Sequence, residues 1–253
     1  MDFLKVGAVS LDLCRWPGPG NSSTPILLLH EALGAATTWR DFPERLAEAT
    51  GLPVIAWSRQ GFGQSDPLPG RLGIDYLHRE AEGVVRLLDA LAIERAHLHG
   101  HSDGAAIALI AAAIAPQRVA SLVLEAPHVT VEAQTAAAII AVRDRYADGV
   151  LRGKLARHHR DPDRVFANWA EIWLDPGFQR WTIEDLLPRV VAPTLLIQGV
   201  RDLYFSLDQL DRIQRAVPAA QRLELSGCGH APYREQPEQV LEATGLFLCP
   251  PMV

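Results

Sequence analysis

Cysteine is scarce in this sequence: Cys14, Cys228 and Cys249 are the only three. Their odd number excludes a fully paired disulfide framework, and their spacing fits neither a zinc site nor a C-x-x-C redox pair. Reduced, separately packed thiols are expected. Long apolar runs are also missing. The longest, at about residues 105–115, is closed by Pro116, is too short to cross a bilayer and reads as a buried helix. The start, Met1-Asp2-Phe3-Leu4-Lys5, lacks the apolar core of a secretory signal, so a cytoplasmic, membrane-free location is expected. There is no basic stripe or tail. Charges of both signs are interspersed and sum to −6, which points away from nucleic acid and anionic membranes as partners. Internal repeats and low-complexity segments are absent as well.

What remains is ordinary globular composition, 48% hydrophobic and 21% charged over 253 residues, enough for one large α/β domain with an insertion. Residues 3–6 and 9–13 form a possible opening hairpin. Continuous apolar runs at 25–30 and 53–57 suit strands covered on both faces. Residues 39–49 and 76–91 have helical character, 96–99 reads as a strand, 105–115 as a helix and 119–124 as a strand. The alternation stops over residues 128–187, which hold helix-like stretches, charge clusters and three tryptophans. It resumes with a strand at 194–197, a helix at 207–216, a strand at 222–225 and a helix at 238–248. This order predicts a mainly parallel, doubly wound sheet built from residues 1–127 and 188–253, with 128–187 as a helical cap.

The chemistry centres on Gly100-His101-Ser102-Asp103-Gly104, a G-x-S-x-G pattern between a strand and an Ala-rich helix. A serine at so sharp a turn has its hydroxyl exposed, and the following N–H groups sit at a helix N-terminus, where negative charge is favoured. The alternative role for Ser102 is a helix cap. A serine nucleophile needs a base, and the base an orienting acid. Two loops that follow strands supply them, Gly199-Val200-Arg201-Asp202 and Gly227-Cys228-Gly229-His230. In a parallel sheet such loops gather at the carboxyl ends of the strands, so topology brings Ser102, Asp202 and His230 together. Glu125, at the end of the 119–124 strand, is a second candidate acid, and Asp208 a weaker one.

With these residues in chain order, the sequence resembles the α/β-hydrolase family, with some similarity to its biphenyl-hydrolase-like branch. The segment His30-Glu31-Ala32-Leu33-Gly34 stands where the family has H-G-x-x-G. Arg59-Gln60-Gly61-Phe62-Gly63-Gln64-Ser65 resembles its x-x-G-x-G-x-S loop, and Gly229-His230-Ala231-Pro232 its histidine loop. The resemblance implies a cofactor-independent serine hydrolase with no metal. It also implies an oxyanion site made by the N–H groups of Ala32 and Asp103, and a small ester, thioester, lactone or activated amide as substrate. Glu31 departs from the family's glycine. The Ser-Asp-Gly pair of that branch implies a substrate amine facing the Asp103 carboxylate, and His128, Trp173 and Tyr204 are expected to join Asp103 in contacting substrate. Acyl transfer, carbon–carbon bond hydrolysis and non-catalytic ligand binding are the other functions the fold supports.

Three further features read as structural. His97, His99 and His101 share a strand face, but no acid or cysteine joins their spacing, so they do not read as a metal site. His158-His159 reads as solvated surface. Trp169, Trp173 and Trp181 read as the insertion's own core, with one of them available to line the substrate pocket.

Overall fold

Eight strands form one sheet in the spatial order β1-β2-β4-β3-β5-β6-β7-β8 in a computed structural model that describes residues 2–20 and 23–249. The strands are β1 (Asp2–Val6), β2 (Val9–Trp16), β3 (Ile26–Leu29), β4 (Val54–Trp57), β5 (Ala96–His101), β6 (Val119–Glu125), β7 (Thr194–Gly199) and β8 (Gln221–Leu225). The opening hairpin β1–β2 is antiparallel and joins β4 antiparallel; every other pairing is parallel. The expected mainly parallel, doubly wound sheet is therefore present.

Period-two alternation divides the strand residues between two cores. Leu27, Leu29, Ile55, Trp57, Leu122, Leu124 and Leu196 pack on one side. Ile26, Leu28, Val54, Ala56, Val123, Leu195 and Ile197 pack on the other. With both faces covered, these strands need apolar residues at every position, which is why they read as unbroken runs. The helices α1 (Phe42–Thr50) and α9 (Pro237–Leu248) border the second core, while α2 (Tyr76–Ala90) and α3 (Asp103–Ile114) border the first. Helix α3 is buried from Asp103 to Ala113. Its alanines permit close packing on all sides, which accounts for a sequence with no polar stripe.

One helix begins later than its sequence suggests. Residues 36–39 form a 3₁₀ turn, Arg40 takes a positive φ of 56°, and the α-helix starts at Phe42. Pro43 explains the break, because proline suits the first turn of a helix, but it has no N–H to donate to the Trp39 carbonyl four residues earlier and its ring would clash with that carbonyl if the helix ran through.

Between β6 and β7 the chain leaves the alternation and forms α4 (Ala133–Arg145), α5 (Val150–Leu155) and α6 (Pro162–Trp173). This segment does not float free. His159, read from sequence as surface, is buried, accepts a hydrogen bond from the Gly63 N–H at Nδ1 (2.9 Å) and donates from Nε2 to the Leu33 carbonyl (2.9 Å). His158 bonds the Thr37 hydroxyl (2.8 Å), and Arg164 donates to the carbonyls of Leu68 and Gly70. Flanking charges disguised both histidines, whose partners lie about a hundred residues away. Helices α7 (Asp208–Ala216) and α8 (Pro232–Glu235) complete the fold around the last two strands. All three cysteines are unpaired. Among the described residues no helix is long and apolar enough to cross a membrane.

Candidate active site

Ser102 sits between β5 and α3 with φ 54° and ψ −116°, a conformation that non-glycine residues rarely adopt. Two glycines make the turn possible. A Cβ on Gly104 would fall 1.9 Å from the Leu29 carbonyl oxygen, and one on Gly100 would fall 2.3 Å from the Gly104 oxygen. The Ser102 N–H donates to the Glu125 carbonyl (2.9 Å), which pins the turn to β6. Strain at a single serine, held from both sides, is how a fold presents a hydroxyl at the edge of its sheet.

The three residues brought together by topology are in hydrogen-bond contact. Ser102 Oγ lies 3.0 Å from His230 Nε2, and His230 Nδ1 lies 2.8 Å from Asp202 Oδ2. Because the carboxylate can only accept, Nδ1 carries the proton and Nε2 is left to accept from the serine. Asp202 is held in place by three further donors: Gln198 Nε2 on Oδ2 (2.9 Å), and the N–H groups of Tyr204 (2.8 Å) and Phe205 (3.3 Å) on Oδ1.

Glu125, the other candidate acid, does not touch His230. Its side chain is wholly buried, with Oε1 2.6 Å from His99 Nε2 and Oε2 accepting from the Tyr233 N–H (2.7 Å). It anchors the chain just after the histidine loop instead. Asp208 pairs with Arg212 (2.6 Å). His101 adds a second anchor by donating from Nε2 to the His230 carbonyl (2.7 Å). Burial, reinforced by the neighbouring His230, pushes the His101 ring well below the usual histidine range, so it donates as a neutral imidazole. The three strand histidines thus have separate partners, with His97 bonding the Ser121 hydroxyl (2.8 Å).

A cavity of about 70 Å³ opens beside Ser102 and is lined by Ala32, Asp103, Trp173, Tyr204 and His230 among others. That volume suits a small group. The Glu31 carboxylate folds back and accepts from the Leu33 N–H (2.7 Å), so the residue that departs from glycine is absorbed by its own loop. His128 does not line the cavity. It is fully buried, stacked on Phe205 at 4.5 Å and 12° and flanked by Trp173 and Trp181. Its expected contact with substrate is therefore corrected. The polar character that suggested it belongs to a ring whose nitrogens have no hydrogen-bond partner and which burial pushes down to about 3.

Asp103 is buried as well. Tyr76 donates its hydroxyl to Oδ2 (2.7 Å), while Oδ1 has no hydrogen-bond partner and lies 4.0 Å from His128 Nε2. Burial pushes this carboxyl up to about 6, opposed by the Arg59 charge and the Tyr76 hydrogen bond. Sequence reasoning did not single out Arg59, Gln198 or His101 as parts of this site. The signal for Arg59 and His101 was their place inside the recognised motifs; Gln198 carried none.

A family profile described as "Alpha/beta hydrolase family" matches residues 26–243. Serine hydrolase BPHL of Homo sapiens is 30% identical over 193 residues, covering 72% of this chain and 65% of that protein. The dihydrolipoyllysine-residue acetyltransferase component of the acetoin cleaving system of Pseudomonas putida is 31% identical over 261 residues, covering 93% of this chain and 66% of that protein. The chain thus spans a little under two thirds of the length of these relatives. Among solved structures, a membrane phospholipase A described as a bacterial virulence factor matches with a TM-score of 0.79 at 23% identity, covering 98% of this chain and 84% of that one. At that identity the likeness speaks for the fold alone.

Proposed function

Since this chain belongs to the alpha/beta hydrolase family, we propose that it is a serine hydrolase that cleaves a small carboxylic ester, thioester, lactone or activated amide through an acyl-enzyme on Ser102. The observation that carries this proposal is the unbroken hydrogen-bond relay from Ser102 Oγ through His230 to Asp202. Ser102 attacks the substrate carbonyl carbon while His230 Nε2 takes the hydroxyl proton. Asp202 holds the ring in the required tautomer and stabilises the cation that forms. The N–H groups of Asp103 and Ala32 receive the oxyanion, each donor typically worth about 3 kcal/mol. His230 then returns its proton to the leaving group. Water enters, loses a proton to His230, and releases the acid and the free serine.

Residues 128–187 serve as a cap in this proposal, with Trp173 and Tyr204 meeting the substrate beside Ser102. Asp103 sets the preference. A buried carboxylate oxygen without a donor next to the nucleophile favours an ammonium group on the substrate and repels an anion there. The acetyltransferase relative favours one variant of this chemistry, in which the same acyl-enzyme passes to a thiol or alcohol. Adding such an acceptor to an ester assay and measuring the transfer product separates the two.

Ser102→Ala tests the central step. It is expected to lower p-nitrophenyl acetate turnover roughly ten-thousandfold or more and to abolish labelling by a serine-directed phosphonate, with the circular dichroism spectrum unchanged. A folded variant that keeps its turnover removes Ser102 from the reaction.

A further inference from the structure

Arg59 is almost wholly buried, 2% exposed, and forms no ion pair among the described residues. Taking a cation out of water without a carboxylate in contact is costly. Two of its guanidinium nitrogens reach main-chain carbonyls, Nη1 donating to His30 O (2.9 Å) and Nη2 to Glu31 O (3.1 Å), while Nε is buried without a hydrogen-bond partner. The Phe62 ring lies 4.7 Å beneath it.

Glu31 O is an unusually crowded acceptor. Besides Arg59 it receives the Gly34 N–H (3.0 Å) and His30 Nδ1 (2.7 Å). The Arg59 main-chain N–H points at His30 Nε2 (3.2 Å), and an N–H can only donate. The His30 proton is therefore on Nδ1 and is directed at Glu31 O.

The peptide unit that carries this oxygen also carries the Ala32 N–H. In a planar trans peptide the C=O and N–H bonds point in opposite directions. Three donors that fix the Glu31 oxygen on one side thus turn the Ala32 N–H to the other side, and Ala32 is a wall of the cavity that holds Ser102. A cationic donor on the oxygen also draws electron density from the nitrogen, which makes the N–H a stronger donor. We propose that Arg59 is a positioning residue of the oxyanion site, setting the direction of the Ala32 N–H and polarising it through the shared peptide. The proposal rests on the serine-hydrolase reading above. It gives a task to a buried cation whose hydrogen bonds go to main-chain carbonyls and not to a carboxylate: those carbonyls belong to the loop that carries the Ala32 N–H.

The test compares the parent protein with Arg59→Met and Arg59→Lys. Two quantities are measured: hydrolysis of a neutral p-nitrophenyl ester, and the pH titration, by fluorine NMR, of the adduct between Ser102 and a trifluoromethyl ketone. In that adduct the serine oxygen adds to the ketone carbon, its proton passes to His230 and an oxyanion is left facing Ala32 and Asp103. Arg59→Met is expected to lower kcat about tenfold to a hundredfold while KM stays within about twofold. The adduct should titrate at higher pH than in the parent. Arg59→Lys, which keeps the charge but not the two-pronged donation, should recover part of both effects. If Arg59→Met does not fold, Arg59→Lys carries the test alone, with kcat below the parent and the adduct titration moved upward. Parent-like kcat, a loss confined to KM, or an unmoved adduct titration in a folded variant overturns the proposal. A parent protein that forms no adduct and hydrolyses no ester fails the hydrolase reading itself, and the role of Arg59 falls with it. A parent that forms the adduct, with variants that titrate identically, removes Arg59 alone.

Discussion

At the scale of single residues, Asp103 carries two tasks that pull against each other. In the proposed reaction its N–H meets the oxyanion, while its carboxyl sits buried with one oxygen unpaired. Burial raises that carboxyl to about 6, against about 4 for an exposed aspartate, so the folded state favours the protonated form. The stability associated with this group is therefore fully present below about pH 4 and is lost as pH rises through about 6. Asp103→Asn should be more stable than the parent at pH 7, by roughly 3 kcal/mol, with the difference vanishing near pH 4. Chemical denaturation at the two pH values measures it. Function should move the other way. The ratio of kcat/KM for an aminoacyl ester to that for a neutral ester should fall in the parent as pH drops through about 6, and should be low and flat in Asp103→Asn. Taking the ratio cancels pH effects that both substrates share. A ratio equally high in both proteins rules out an amine-binding role for Asp103.

The meeting of Ser102, Asp202 and His230 was legible in the sequence because each follows a strand, and parallel strands deliver such residues to one edge. His128 was not legible. Its position after β6 matches that of a substrate-facing loop residue, and only the stacking of Phe205 and two tryptophans shows that it lies behind the cavity wall. Glu125 was a reasonable rival acid for the same topological reason. Its actual partner, His99, lies on the adjacent strand, and that pairing depends on a strand order the sequence does not state.

At the scale of elements, the strand–turn–helix unit around Ser102 depends on the absence of two side chains. Gly104→Ala would place a carbon within 1.9 Å of the Leu29 carbonyl, and a backbone atom cannot rotate away as a side chain can. The expected cost is about 3 kcal/mol or more, seen as a lowered thermal midpoint, with ester turnover falling further than stability because β3 and α3 must separate. Unchanged stability would show that the elbow tolerates a side chain there. This unit was the most legible element, since its glycines, its apolar strand and its alanine helix all state the same requirement. The start of α1 was less so, because the apolar spacing ran on through Arg40 and only the backbone break exposes the role of Pro43.

At the scale of the whole molecule, the helical segment between β6 and β7 is tied to the loops that flank Ser102. His159 bridges the Gly63 N–H and the Leu33 carbonyl as a neutral ring, and burial lowers its affinity for a proton. Its contribution is present above the ordinary histidine value of about 6.5 and is lost as pH falls below it toward the depressed folded value, because a protonated Nδ1 cannot accept from Gly63. Protection of the Gly63 amide in hydrogen exchange should fall at acid pH beyond its intrinsic dependence. His159→Ala should abolish that dependence and cost about 2–4 kcal/mol, since two buried groups lose their partner. Protection that ignores both pH and the substitution would show that the tie does not hold the segment. Alternation in the sequence announced the sheet and the interruption announced the inserted helices. The tie itself was hidden because it joins residues far apart in the chain.

In the proposed reaction Ser102 becomes covalently acylated with His230 as its base. Mass spectrometry of the protein quenched in acid during p-nitrophenyl acetate turnover reads this out. An acetyl group on the peptide carrying Ser102 is predicted, present in the parent and absent from both Ser102→Ala and His230→Ala. Turnover by the parent with no acetyl group on that peptide, or with the group on another residue, contradicts it.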